Sequence, residues 1–352
     1  MKEMTPRERI LAVIRGEMPD RVPFIQYENA AGPNVEMWEM LGRESMGTLR
    51  WTRLHRIEYP NCNRQTEELE RDGLRGLRTV LKTPRGELVE ERFFEPTYGT
   101  ASIKKHFVQE PEEYDRLLAY LEDGVVVENL DPFHLALEEL GDQGLPLVAV
   151  ERTPYQQLWV QWVCIEDLSL HLVDCPERVE ACVEALGRQE RQIMEIVARN
   201  PVDFVDFPDN ITAPVIGVNN FRKYCVPFYD EMAGMLGERP VYVHMDGDLK
   251  PLWKDIGRSG VRGLDSLSPP PDNDTSVGEA VSMWPEMRVW VNFPSSVHLE
   301  SAQGIYEMAG EILEQAGHTG RLQIQISENV PPGMWKKSYP EIVRAIRDFG
   351  QP

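Results

Sequence analysis

The chain has 352 residues, 41% of them hydrophobic, with 58 acidic against 37 basic side chains and a formal charge of −21. That length and apolar content suit one large barrel with insertions. So negative a surface would be repelled by a phosphate backbone, which argues against nucleic acid as a partner; no run approaches the roughly 18 consecutive apolar residues of a membrane span.

Cys62, Cys164, Cys175, Cys182 and Cys225 are odd in number and form no CxxC, which speaks against a disulfide framework and against a thiolate zinc cluster. The N-terminus carries no apolar leader, so a cytoplasmic protein is expected.

Thr5-Pro6-Arg7-Glu8 reads as a capping box opening a helix that Gly16 ends. Residues 22–25 follow as a strand delivering Tyr27, Glu28 and Asn29. From about 33 to 75 the chain looks helical and irregular. Val80-Leu81-Lys82 and Leu88 to Phe94 flank a Thr83-Pro84-Arg85-Gly86 turn and predict a β-hairpin. Residues of about 30–110 are therefore expected to cap one end of a single domain that spans 1–352. Strand patterns recur at 147–150, 203–207, 241–245, 261–265, 289–293 and 322–327, most of them followed by helical patterns. Seven short apolar strands alternating with helices imply a parallel sheet. The expected fold class is α/β, a (β/α)8 TIM barrel with an N-terminal helical and hairpin cap and one strand still to be found. An open doubly wound sheet is the alternative, but no GxGxxG follows any strand.

Two strand ends carry the chemistry. Val241-Tyr242-Val243 ends in His244-Met245-Asp246-Gly247, and Leu322 to Ile326 ends in Ser327-Glu328-Asn329. Strand C-termini are where barrels place their active sites, so His244, Asp246 and Glu328 are candidate catalytic residues and ligands of one divalent metal. Each also has a plainer reading: a hydrogen-bonded core histidine, a helix N-cap and a solvated loop acid. Asp206, Asp209 and Asn210 end another strand, either to contact substrate and orient a ligand or to form Asx turns around Pro208. Tyr27, Tyr155 and Trp159 complete the candidate substrate pocket, although aromatics at helical spacing are as readily core. His298 beside Ser295-Ser296 makes a triad only if an acid and a nucleophile converge on it, and no Gly-x-Ser-x-Gly occurs.

Met4-Thr5-Pro6-Arg7-Glu8-Arg9-Ile10 and Pro19-Asp20-Arg21-Val22-Pro23 resemble the N-terminus of the uroporphyrinogen decarboxylase superfamily. The likeness continues through Asp174-Cys175-Pro176-Glu177, Asp209-Asn210, Pro227-Phe228-Tyr229, His244-Met245-Asp246-Gly247 and Val330-Pro331-Pro332-Gly333. The resemblance implies a (β/α)8 barrel and one of two chemistries. Decarboxylases carry an arginine-rich segment after the first strand; here Gln26-Tyr27-Glu28-Asn29-Ala30-Ala31-Gly32 has no arginine to hold a polycarboxylate. The other branch is the corrinoid-dependent methyltransferases, whose thiol-methylating members use His-x-Cys and a later Cys for zinc. This chain keeps His244 but has Asp246 and Glu328 in the cysteine places.

One imidazole and two carboxylates still make an N/O site for zinc, harder and more Lewis-acidic than a thiolate site and suited to polarising an ether oxygen. The resemblance therefore points to the methyltransferase component of an O-demethylase. Its substrate would be a small methoxylated, aromatic compound, and its methyl acceptor a corrinoid (cobalamin) supplied by a partner protein. A methylamine or betaine donor held in an aromatic cage is the other reading, and a decarboxylase-like lyase a third. The sequence leaves a homodimer open.

Overall fold

Most barrel strands are short, largely apolar runs buried on both faces, as a parallel sheet wrapped by helices requires. The computed structural model describes residues 3–97 and 99–351. In it the chain divides into two compact units: Met1–Leu54, Leu130–Val150 and Val197–Pro352 form the first, His55–Asn129 and Glu151–Ile196 the second.

The first unit is the barrel. Its strands are β1 (Phe24–Tyr27), β2 (Gly47–Thr52), β3 (Gly144–Val148), β4 (Val205–Phe207), β5 (Val241–His244), β6 (Val261–Leu267), β7 (Arg288–Asn292) and β8 (Leu322–Ile326). All pair in parallel in the order β4-β5-β6-β7-β8-β1-β2-β3. A parallel bridge between Ala149 and Asp206 joins the two ends. This is the expected (β/α)8 TIM barrel. The missing eighth strand is β2, in a stretch expected to be helical and irregular. Its Leu49 points into the core while Arg50 points outward, donating to Glu28 at 2.7 Å and pairing with Glu139. A strand whose outer face needs an ion-paired arginine does not read as an apolar run.

Side chains of alternate strand residues fill the interior, as the two-residue period dictates. Ile25, Leu49, Leu145, Leu147, Phe204, Tyr242 and Trp290 belong to one buried cluster. Tyr242 and Trp290 lie 4.2 Å apart by ring centroid, and Phe204 meets both edge-on. Gly263 makes room for this packing: a Cβ there would stand 2.2 Å from the Tyr242 ring. The N-terminal helix, Pro6–Arg15, has the expected capping box between Thr5 and Glu8 and ends in left-handed Gly16.

The second unit holds a four-stranded antiparallel sheet of Asn63–Arg71, Leu74–Thr83, Gly86–Phe94 and Ala101–Lys105. The hairpin expected about residues 83–86 forms its centre. His55–Glu58 pairs antiparallel with Val125–Glu128, and helices Tyr114–Asp123, Ile165–Asp174 and most of Pro176–Arg199 also lie in this unit. The segment expected as a cap, about 30–110, thus contains barrel strand β2 as well as this sheet. No described helix is long and apolar enough to cross a membrane.

Candidate metal centre

β5 carries Tyr242 into the core, and two residues on, at the strand's C-terminal end, His244 points the same way. By the same alternation Tyr27 lies above Ile25 on β1, Asp265 above Gly263 on β6, and Gln325 above Gln323 on β8. A polar layer therefore sits directly on an aromatic one.

In that layer His244 has a defined posture. Its Nδ1 lies 3.0 Å from Asp265 Oδ2. Asp265 is fully buried and takes three donors: the imidazole, the Tyr27 hydroxyl, and Gln325 Nε2 at 2.6 Å. Gln323 Nε2 holds Gln325 in turn, donating to Oε1 at 2.9 Å. A carboxylate so surrounded accepts only, so Nδ1 carries hydrogen and Nε2 is turned to the mouth. There it meets Glu328 Oε1 at 3.2 Å and Asp246 Oδ2 at 3.9 Å.

His244, Asp246 and Glu328 each offer one ligand atom, and those atoms lie within 4.8 Å of one another. The structure brings together the three residues that the strand ends suggested. Asp246 is held by Asn273, which donates to its carbonyl at 2.6 Å, and by Asn210 Nδ2, 3.4 Å from Oδ2. Asn210 reaches it from a left-handed backbone (φ 53) that asparagine tolerates. Gly247 lets this loop close down; a Cβ there would fall 2.2 Å from that of Thr212. Ser327, before Glu328, donates its amide to Asn292 Oδ1 at 3.2 Å.

Electrostatics follow from burial and neighbouring acids. Burial opposes a charge on His244, but hydrogen bonds to Asp265 and Glu328 and the charge of Asp246 outweigh it, raising the imidazole well above its ordinary range. Burial and the charges of Asp265 and Asp206 push the Tyr27 hydroxyl well up, so it stays a neutral donor. Asp206, on β4, is fully buried, and among the described residues neither of its oxygens has a hydrogen-bond partner. Burial and the charge of Asp265 raise it well above the carboxylate range, against the pull of His244.

The donor set fits a divalent cation. A nitrogen and two carboxylates converge without other cations among them, and the hydrogen bond to Asp265 fixes the imidazole as metal-bound histidines require. A cation bound there would need Nε2 free of its proton, so binding would weaken as pH falls.

Of the candidate substrate residues, Tyr27 lies beside His244, with ring centroids 6.5 Å apart, and Asn210 touches Asp246. Asp209 is buried and accepts from Tyr229. Tyr155 and Trp159 belong to the second unit; Tyr155 is buried there and Trp159 donates to Gln156 at 2.6 Å. His298 is no triad base: its Nδ1 lies 2.7 Å from the Ser338 hydroxyl, its Nε2 is buried without a partner, and burial lowers its pKa to about 4. Asp265 was not among the candidates read from sequence. Its signal was parity alone, two residues beyond the glycine that admits the Tyr242 ring.

Comparison with known proteins agrees with this architecture. A solved methyltransferase from Methanosarcina mazei aligns over 99% of both chains with a TM-score of 0.58 at 13% identity, a likeness of fold. An enolase-superfamily member from Polaromonas sp. JS666 aligns over 80% of this chain and 87% of its own at 10% identity, but its TM-score of 0.26 carries no argument. No curated protein matches. The uroporphyrinogen decarboxylase (URO-D) family model matches residues 163–349, more than half of the chain and five of the eight barrel strands. The chain belongs to the uroporphyrinogen decarboxylase (URO-D) family.

Proposed function

We propose that the protein is the methyltransferase component of an O-demethylase. It would take the methyl group from a small methoxylated aromatic compound and pass it to the cobalt of a reduced corrinoid carried by another protein. The observation that carries this reading is the convergence of His244, Asp246 and Glu328 at strand ends of the barrel. The solved Methanosarcina mazei protein of like fold is a methyltransferase, which supports this reading. A decarboxylase acting on a polycarboxylate is disfavoured by the same end of the barrel, where Asp246, Asp265 and Glu328 gather and would repel an anionic substrate.

In the reaction the O–CH3 bond breaks, a carbon–cobalt bond forms, and the departing oxygen keeps the bonding pair and takes one proton. His244, Asp246 and Glu328 would hold zinc, whose chemistry when bound is that of a Lewis acid for the ether oxygen. Asp265 keeps the His244 Nδ1 protonated and Nε2 aimed at the mouth. Gln325 and Tyr27 hold Asp265 in place behind His244. Asn210 keeps the Asp246 carboxylate in place. Asp206 sits below as a neutral acid and adds no charge to that end of the barrel.

The test is elemental analysis of protein purified without chelator, followed by methyl transfer from a panel of methoxyarenes to reduced cobalamin. His244→Ala is expected to lose bound zinc and methyl transfer together. Full transfer by protein with no bound metal would overturn the reading.

A further inference from the structure

Trp51 occupies a place that the packing of the barrel leaves unexplained. Leu49, two residues earlier on β2, lies in the barrel core, and Leu147, the registered partner of Trp51 on β3, lies there too. Trp51 is therefore on the inner face of the wall, whereas Arg50 between them turns outward to Glu28 and Glu139. Yet Trp51 is 38% exposed. Among the described residues it is the one large apolar side chain on a barrel strand that remains open to solvent. Its ring meets Tyr27 edge-on at 5.3 Å between centroids, and Tyr27 stands against His244. A single ring thus separates an open indole from the metal-ligating imidazole.

We propose that Trp51 is the binding platform for the donor's aromatic ring, selecting aryl over saturated methyl ethers. This rests on the demethylase reading and adds to it the residue that recognises the substrate class. An indole is wide, rigid and weakly solvated, and stacks on a flat π-system in preference to a puckered ring. Tyr27 is tied by its hydroxyl to Asp265, so it braces the indole from one side. A methoxyarene resting on Trp51 has its ether oxygen at the ring's edge, where it can turn towards Asp246 and Glu328.

The experiment measures binding apart from turnover. Calorimetric titration of the zinc-loaded protein, without corrinoid, compares 2-methoxyphenol with methoxycyclohexane for wild type, Trp51→Ala and Trp51→Phe. Trp51→Ala is expected to weaken 2-methoxyphenol by about tenfold, the size of a lost stacking contact. It should leave methoxycyclohexane within about twofold on the same scale, and zinc content unchanged. Trp51→Phe should restore most of the lost affinity.

Equal weakening of both ligands, or none, overturns the proposal. Wild type that binds 2-methoxyphenol through Trp51 yet transfers no methyl group supports the platform and sinks the demethylase reading instead.

Discussion

Replacing Asp265 by asparagine probes the support of the candidate metal centre with the smallest change of shape. The carboxylate takes His244 Nδ1 at 3.0 Å and the Tyr27 hydroxyl on Oδ2, and Gln325 Nε2 at 2.6 Å on Oδ1. An amide keeps one oxygen and presents an NH2 on the other side. With its oxygen towards His244, its NH2 faces the NH2 of Gln325, donor against donor. Gln325 cannot flip without losing the hydrogen bond its Oε1 accepts from Gln323. With the amide reversed, the NH2 faces His244 Nδ1 and drives the ring to the other tautomer, putting hydrogen on the nitrogen that faces the ligands. Either way His244 loses its anionic brace. Loss of such a partner weakens metal binding by about 10- to 100-fold, or roughly 1.4 to 2.8 kcal/mol. Global stability is expected to change less, because removing one buried negative charge beside Asp206 offsets part of the lost charged hydrogen bond. Competition for zinc with a chromophoric chelator, run beside a thermal melt, separates the two effects. A zinc Kd equal to that of wild type would refute the assigned role of Asp265.

His298 is a second handle, away from the candidate metal centre. Burial lowers its pKa from 6.5 to about 4, so the unfolded chain takes up the proton more readily in that range. Its contribution is complete above pH 6.5 and is lost as pH falls towards 4, amounting to about 3 kcal/mol. Urea midpoints at pH 7 and 4.5 should drop more steeply for wild type than for His298→Gln, and parallel drops would show that the ring is not held neutral. In the barrel interior, Gly263→Ala places a methyl 2.2 Å from the Tyr242 ring. It should destabilise by about 1–3 kcal/mol by overpacking; an unchanged melting temperature would mean that the aromatic layer yields freely.

The barrel was readable because seven of its strands keep apolar residues on at least one face, which leaves a run such as Val-Tyr-Val or Leu-Gln-Ile-Gln-Ile between helical patterns. β2 escaped because Arg50 and Trp51 break its run, each for a reason that lies elsewhere in the fold: one pairs with Glu28 and Glu139, the other faces the barrel's inner side at its rim. His244, Asp246 and Glu328 stood out by sitting where strands stop. Asp265 and Trp51 did not, since an aspartate after Gly-Leu and a tryptophan among arginines have many ordinary uses. Only the register of neighbouring strands shows that Asp265 lies behind His244 and that Trp51 shares a face with Leu49. The bounds of the second unit were illegible for a related reason: it is assembled from two separate stretches, 55–129 and 151–196, and sequence order does not show that they fold together.

The barrel wall is not bonded evenly around its circumference. Neighbouring strands elsewhere share at least three registered residues, whereas among the described residues β3 and β4 are joined by the single bridge of Ala149, just past the end of β3, with Asp206, the Val150 amide donating to the Asp206 carbonyl at 3.1 Å. A ring with one thin join breathes there first, because parting it gives up the fewest hydrogen bonds. The amide of Val150 should trade its hydrogen for deuterium ahead of those in the middle of β5 and β8. Each such opening would bring water to the side chain of Asp206, a carboxyl otherwise sealed inside the wall.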